Sequence, residues 1–402
     1  MIGGSTAERE LSEIRPFAGA RPIAAAERLA RIDKAREGMV QAGADALIVA
    51  AGTSLVYFTG IGWGMIERLV AMVLTPKGHP FIICPAFEAE SLLAVVDPGI
   101  AIDLRCWDEH ESPSALIAGI LREQGCTRVA IDPALPFGMA ERLHRAAPSA
   151  SILDATGIID GCRARKSPEE LALLRQAKQM TLEVQRRAAR ILAPGIRAST
   201  VRAFIDSAHR AIGASGSSFC IVQFGLSTTV PHGLPQDDVL AEGDMVLIDT
   251  GCTVEGYNSD ITRSYVFGTP SAAQRRIWEM EREAQQAAFD AVAPGVACEA
   301  IDAAARAVLD RHGLGPGYCL PGMPHRTGHG IGLCIHEAPY LVGGDRTPLA
   351  PGMCFSNEPT IVVPGQFGVR LEDHFHVTET GAAWFTEPSS SIDRPFAADP
   401  DR

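Results

Sequence analysis

MVLIDTGCTVEGYNSDITRSYVFG, residues 245–268, reads as two apolar strands that each carry an aspartate. The run from Met245 brings Asp249 to the end of one strand, and Asp260 follows eleven residues later within Ser-Asp-Ile-Thr-Arg. Side by side at the ends of adjacent strands, two carboxylates repel unless something cationic sits between them. A metal ion meets that need. The competing reading is that Asp249 opens an Asp-Thr-Gly turn and Asp260 pairs with Arg263, since aspartate is common in turns.

Two further segments bear on the choice. In HRTGHGIGLCIHEAP, residues 325–339, glycines flank His329 and His336-Glu337 follows. Histidine is the commonest nitrogen ligand for divalent metals, and the glycines permit close backbone approach. In NEPTIVVPGQFGVRLED, residues 357–373, Glu358 follows an apolar approach and Glu372 stands fourteen residues later, near Arg370. Four carboxylates and one histidine, each behind an apolar or glycine-rich approach, form a set. Five ligands with four hard oxygens are too many for one tetrahedral zinc, and suit two cations roughly 3.5–4 Å apart with bridging carboxylates and a bridging water. Such a water loses its proton near neutral pH, so the set suits hydrolysis.

Outward from these motifs the chain divides. KSPEELALLRQAKQMTLEVQRRAARIL, from Lys166, predicts a long helix with Ser167 as its cap, Pro168 in the first position and Glu169 and Glu170 at the positive end of the dipole. Before it, a helix over Ala25–Ala42 and the strand ALIVA open an alternation. Strands are expected over Leu69–Leu74, Pro80–Cys84, Ala101–Leu104 and Arg128–Ile131, and helices near Glu88–Val95, Ser114–Glu123 and Met139–Ala146. This is an α/β domain, 1–161. The uncharged stretch Ala46–Ile66 is rich in glycine and reads as strand, loop and turn rather than a membrane span. After the long helix, residues 162–402 set helices over Val201–Ile212, Ala272–Val292 and Cys298–His312 among β-rich stretches dense in Asp, Glu, His and Gly. The final residues, 393–402, read as a loose tail.

Composition limits the function. The chain has 402 residues, 36 basic and 48 acidic side chains and a net charge of −12, so a phosphate backbone or an anionic membrane repels it on average. No nucleic-acid or membrane partner is expected. The start, MIGGSTAERELSEIRPF, lacks the basic and apolar order of a secretory signal. Ten cysteines without a CxxC pair fit buried thiols in a reducing cytoplasm, and structural zinc on cysteine is not expected. His374 and His376 alternate with apolar residues and read as a strand face; His209 and His312 fall on helices.

The ordered set Asp-x-Gly…Ser-Asp-x-Thr-Arg, Gly-His-Gly-Ile-Gly…His-Glu, Glu-Pro and Gly-x-Arg-x-Glu-Asp resembles the superfamily of Xaa-Pro peptidases, methionine aminopeptidases and creatinase. The resemblance covers nearly the whole chain. It implies a creatinase-like α/β N-terminal domain and an α+β pita-bread catalytic domain. It implies that Asp249, Asp260, His329, Glu358 and Glu372 hold two divalent metal ions, with Asp260 and Glu372 bridging. Creatinase works without metal and does not keep this set, so its retention favours a metallopeptidase.

The same resemblance places His232 and His336 beside the scissile carbonyl as oxyanion donors, and gives Glu358 the proton of the water. Arg370 orients a carboxylate ligand and is also a candidate substrate contact. Tyr257 and Thr262 are placed to hydrogen-bond the aspartates. Tyr57, Phe58 and Trp63 are the notable aromatics of the N-terminal domain. In similar dimers such a loop reaches the partner's site, which makes Tyr57 a candidate substrate contact beside a plain packing role. The expected activity is a cytoplasmic, homodimeric Xaa-Pro dipeptidase acting on small peptides, with Mn2+ first among the metals because four of five ligands are carboxylates, and Zn2+, Co2+ or Fe2+ next. The alternatives are an Xaa-Pro aminopeptidase on longer peptides and a creatinase-like amidohydrolase. One departure stands out: the third motif reads Glu358-Pro359-Thr360, where many Xaa-Pro peptidases have Glu-Pro-Gly.

Overall fold

The computed structural model describes residues 2–17 and 19–396. The chain separates into two units, Ile23–Arg163 and a larger one of residues 2–22 and 164–396. The division after Arg163 lies two residues from the expected one, and the first 22 residues belong with the larger unit.

In the smaller unit, strands β1 (Ala46–Ala50), β2 (Ala71–Leu74), β3 (Phe81–Pro85), β4 (Asp103–Trp107), β5 (Arg128–Ile131) and β6 (Ser151–Asp154) form one sheet in the order β4-β3-β2-β1-β5-β6. Pairing is antiparallel across β1–β2 and β2–β3 and parallel elsewhere. Every residue of β1 is buried, as its unbroken apolar run requires of a strand covered on both faces. The helix Ala25–Ala42 ends where Gly43 turns left-handed at φ 64°. One segment differs from expectation. Thr53–Thr59, read as loop and turn, is a helix. Its Thr, Val, Tyr and Phe are weak helix formers, and Gly52 and Gly60, taken as loop signals, are its caps.

The larger unit is built around four sheets, two of them two-stranded. Strands β7 (Phe219–Phe224), β8 (Met245–Gly251) and β11 (Ile261–Val266) give the order β11-β8-β7, and β9 (Thr253–Val254) with β10 (Tyr257–Asn258) forms a short ribbon between β8 and β11 in the chain. Strands β12 (Gly328–Gly330), β13 (Glu337–Leu341), β14 (Cys354–Asn357), β17 (Asp373–Val377) and β18 (Ala382–Trp384) pair as β13-β12-β14-β17-β18. Strands β15 (Thr360–Val363) and β16 (Phe367–Arg370) pair with each other. The helix Pro168–Arg190 starts in a capping box: Glu170 N–H donates to Ser167 Oγ and the Ser167 N–H to the Glu170 carboxylate.

The described residues near both ends are tied down. Glu10 is buried and pairs with Arg187 and Arg190 of that helix. Asp393 pairs with Arg275, and the Phe396 ring meets Tyr265 at 6.0 Å, so the expected loose tail is anchored up to residue 396. Its remainder, residues 397–402, lies outside the described residues. All ten cysteines are free, and two of them, Cys106 and Cys319, are exposed rather than buried. Among the described residues no helix is long and apolar enough to cross a membrane.

Candidate metal centre

Register explains how distant carboxylates meet. In the β8–β11 ladder Thr262 lies opposite Asp249, which makes Asp260 the diagonal neighbour of Asp249 on the same face. In the second ladder Thr360 pairs with Arg370, and Asn357 pairs with Asp373. Both pairs obey one register, so Glu358 and Glu372 face each other where the β14–β17 ladder passes into β15–β16. Pro359 carries no N–H and fits a break in pairing. The Glu372 N–H donates instead to the Thr262 carbonyl, joining this ribbon to β11.

His329 arrives on β12, the strand whose glycines the sequence singled out. A Cβ at Gly328 would collide with the Ser356 carbonyl, and one at Gly330 with the Glu337 carbonyl. Only glycine lets the neighbouring backbones close on either side of the histidine. Ser356 Oγ accepts the His329 N–H at 2.9 Å and donates to Glu358 Oε1 at 3.0 Å. His329 Nδ1 lies 3.0 Å from the Gly330 carbonyl, which only accepts, so Nδ1 carries a proton. Nε2 then faces Glu358 Oε1 at 3.1 Å and Asp260 Oδ2 at 3.7 Å.

Asp249, Asp260, His329, Glu358 and Glu372 all line one cavity of about 770 Å³. Nitrogen and oxygen atoms of Asp260, His329 and His336, of His329, Glu358 and Glu372, and of Asp260, Glu372 and His374 form three overlapping groups, each within 4.8 Å. Asp249 belongs to none of these groups; its Oδ2 lies 2.6 Å from Arg370. The donor set fits cations. Asp249 Oδ1 and Glu372 Oε1 are buried without a hydrogen-bond partner. Burial, then neighbouring carboxylates, hold Asp260 and Glu372 well above the usual carboxylate range. Burial also works to raise Glu358, but the His329 hydrogen bond and charge outweigh it and bring its pKa down to about 2. Cations among these oxygens would relieve the repulsion and satisfy the orphaned atoms.

The surroundings sort the remaining expectations. Arg370 is 5 % exposed and spent on Asp249 and on Thr262 Oγ1, which in turn donates to Glu372 Oε2 at 2.7 Å. Its Nε and Nη2 orient carboxylates, and the residue also lines the cavity. Asp260 does not pair with Arg263, whose guanidinium goes to Asp373 at 2.7 Å. The Tyr257 hydroxyl donates to Glu170 Oε1 rather than to an aspartate, which corrects that expectation. His232 is exposed and lines the cavity. His336 packs its ring against His329 at 4.2 Å, and partial burial, then the charge of His329, push its pKa down to about 4. Tyr57 is buried in the smaller unit with its hydroxyl on the Cys162 carbonyl and Arg31 over its ring, the packing role.

Three residues were missed. His325 and Arg326 line the cavity, and His374 lies 0 % exposed beside Asp260 and Glu372 with neither ring nitrogen hydrogen-bonded. The first two stand in the quoted segment ahead of His329 and were readable there. His374 looked like one member of an alternating strand.

The family model of metallopeptidase family M24 matches residues 172–379, and that of the creatinase/prolidase N-terminal domain matches residues 31–165. The chain is 36 % identical over 353 residues to a probable dipeptidase PepE of Mycobacterium tuberculosis, covering 88 % of this chain and 92 % of that one. It is 32 % identical over 367 residues to an Xaa-Pro dipeptidase of Lactobacillus helveticus, covering 90 % and 98 %. Among solved structures, dipeptidase PepE from Mycobacterium ulcerans superposes with a TM-score of 0.84 at 36 % identity, over 91 % of this chain and 97 % of that one. A prolidase from Thermococcus sibiricus gives 0.81 at 29 %, over 89 % and 96 %. The expected pairing of a creatinase-like N-terminal domain with a pita-bread catalytic domain is the architecture found.

Proposed function

Because the chain belongs to metallopeptidase family M24, we propose that it hydrolyses Xaa-Pro dipeptides with two divalent cations held by Asp249, Asp260, His329, Glu358 and Glu372. The observation that carries the reading is the convergence of these five side chains on one cavity. Dipeptidases are also the recurrent activity in the names of its relatives. An Xaa-Pro amide has no N–H and populates cis appreciably, so a dedicated site is useful.

When bound, the cations would supply Lewis acidity and lower the pKa of a water. Asp249, Asp260, His329, Glu358 and Glu372 would hold the cations, with Asp249 oriented by Arg370 and Glu372 by Thr262. Glu358, whose Oε1 accepts from Ser356 Oγ, would take the proton of the attacking water at a carboxylate oxygen. His336 and His232 donate to the developing oxyanion, and the depressed pKa of His336 keeps it a neutral N–H donor at pH 7.

The reading includes Mn2+ as the native ion, on the hardness of four carboxylate ligands. It includes a cytoplasmic setting, supported by ten unpaired cysteines. A homodimer is included on likeness to the family. The test is hydrolysis of Ala-Pro beside Ala-Pro-Ala, with Mn2+ and with chelator. Chelator-sensitive cleavage of the dipeptide alone is expected. Cleavage of neither by metal-loaded protein would overturn the reading in favour of a non-peptide amide.

A further inference from the structure

The cavity that holds four carboxylates also carries two arginines, Arg370 and Arg326. Arg370 is committed to Asp249 and Thr262. Arg326 is half-buried, and among the described residues its guanidinium has no ion pair and no side-chain hydrogen bond. Its Cζ lies 4.4 Å from the centroid of the Tyr340 ring. Stacking uses the face of a guanidinium and leaves its edge of N–H donors open. The charge of Arg326 acts on both His325 and His336, which line the same cavity.

The backbone beneath Arg326 is pinned on both sides. Arg306 Nη2 donates to the His325 carbonyl at 2.7 Å, and Asp302 Oδ1 accepts from the Thr327 N–H and hydroxyl. His325 Nδ1 lies 2.7 Å from the Arg326 carbonyl, and Nε2 lies 2.9 Å from Thr360 Oγ1. A carbonyl only accepts, so Nδ1 donates and Nε2 takes the proton of the Thr360 hydroxyl. Burial lowers the pKa of His325 and favours this neutral form. Thr360 is the residue that departs from Glu-Pro-Gly, and glycine has no hydroxyl to supply that bond.

We propose that Arg326 binds the α-carboxylate of the substrate's C-terminal residue, and that Thr360, acting through His325, is a positioning residue for it. The proposal rests on the Xaa-Pro dipeptidase reading. Arg326 lines the substrate cavity with its guanidinium face on Tyr340, and an arginine edge matches a carboxylate with two parallel N–H donors. A longer peptide presents a neutral amide at that point and forfeits the pair. Arg326 is then the residue that restricts the enzyme to dipeptides.

The test measures binding to metal-loaded protein of Ala-Pro with its scissile carbonyl reduced to methylene, as the free acid and as the C-terminal amide. Wild type is expected to bind the acid about 10- to 100-fold more tightly, the range of a hydrogen bond to a charged group. Arg326→Met brings that ratio to about one while leaving the amide unchanged, and Arg326→Lys keeps part of it. Thr360→Val lowers the ratio, and Thr360→Ser restores it. A ratio that survives in Arg326→Met, or an equal weakening of acid and amide, overturns the proposal. Turnover of Ala-Pro by wild type is scored separately: its absence with the acid preference intact refutes the dipeptidase reading and leaves Arg326 as an anion site.

Discussion

Arg263→Met is predicted to destabilise the larger unit and loosen its metals together. Arg263 and Asp373 are both 0 % exposed and pair at 2.7 Å. The same guanidinium donates to the carbonyls of Thr262 at 3.1 Å, Glu372 at 3.0 Å and Glu387 at 3.3 Å. Methionine fills much of the volume and supplies none of these donors. Asp373 keeps Gln285 at 3.2 Å and Thr386 at 3.4 Å, but its charge is left buried without a cation. Breaking one partner of a buried pair costs about 3–5 kcal/mol, against a total stability of about 5–15 kcal/mol. Arg263→Met with Asp373→Leu removes both charges and is expected to lose less than Arg263→Met alone. Because Arg263 holds the Glu372 carbonyl, metal affinity falls about 10- to 100-fold as well. Urea unfolding of chelator-treated protein, single variants beside the double, measures the first effect, and competitive metal titration the second. A loss under about 1 kcal/mol for Arg263→Met, or a double variant whose loss is the sum of the singles, would refute the reasoning.

Gly328→Ala places a methyl group against the Ser356 carbonyl and is expected to push β12 away, costing about 1–3 kcal/mol and weakening metal binding, read by thermal unfolding with and without Mn2+. Burial pushes the pKa of His209 down to about 4, whereas an unfolded chain binds that proton near pH 6.5. The unfolded state therefore holds more protons between those values, and stability falls as pH drops from about 6.5 to about 4, by on the order of 3 kcal/mol; His209→Gln flattens this slope in urea titrations. Asp260 and Glu372 have raised folded pKa values, so the metal-free fold gains stability at acidic pH and loses it as pH rises through them. Metal replaces those protons, and the difference in melting temperature between loaded and chelated protein should widen with rising pH.

Local rules sufficed where spacing and caps agree. The helix from Pro168, the glycines around His329 and the strand containing Asp249 all follow from nearest-neighbour chemistry. What stayed hidden depends on pairing across the chain. No local feature says that Arg263 passes Asp260 for Asp373, a partner 110 residues away, or that the Tyr257 hydroxyl reaches Glu170. Thr53–Thr59 misled because packing overrode weak helix propensity. His374 shares the period of a half-buried strand, and only the closing of β17 on β11 puts its ring beside Asp260. The Thr360 departure was visible at once, but the His325 it holds required the fold.

Metal stoichiometry tests the central claim most directly. Protein purified without chelator, loaded with Mn2+ and dialysed, should carry two ions per chain by elemental analysis. Asp260→Asn and Glu372→Gln should each bring that to one or none with the fold retained by circular dichroism. A wild-type chain that holds no ion after loading, or variants that keep both, would contradict the account.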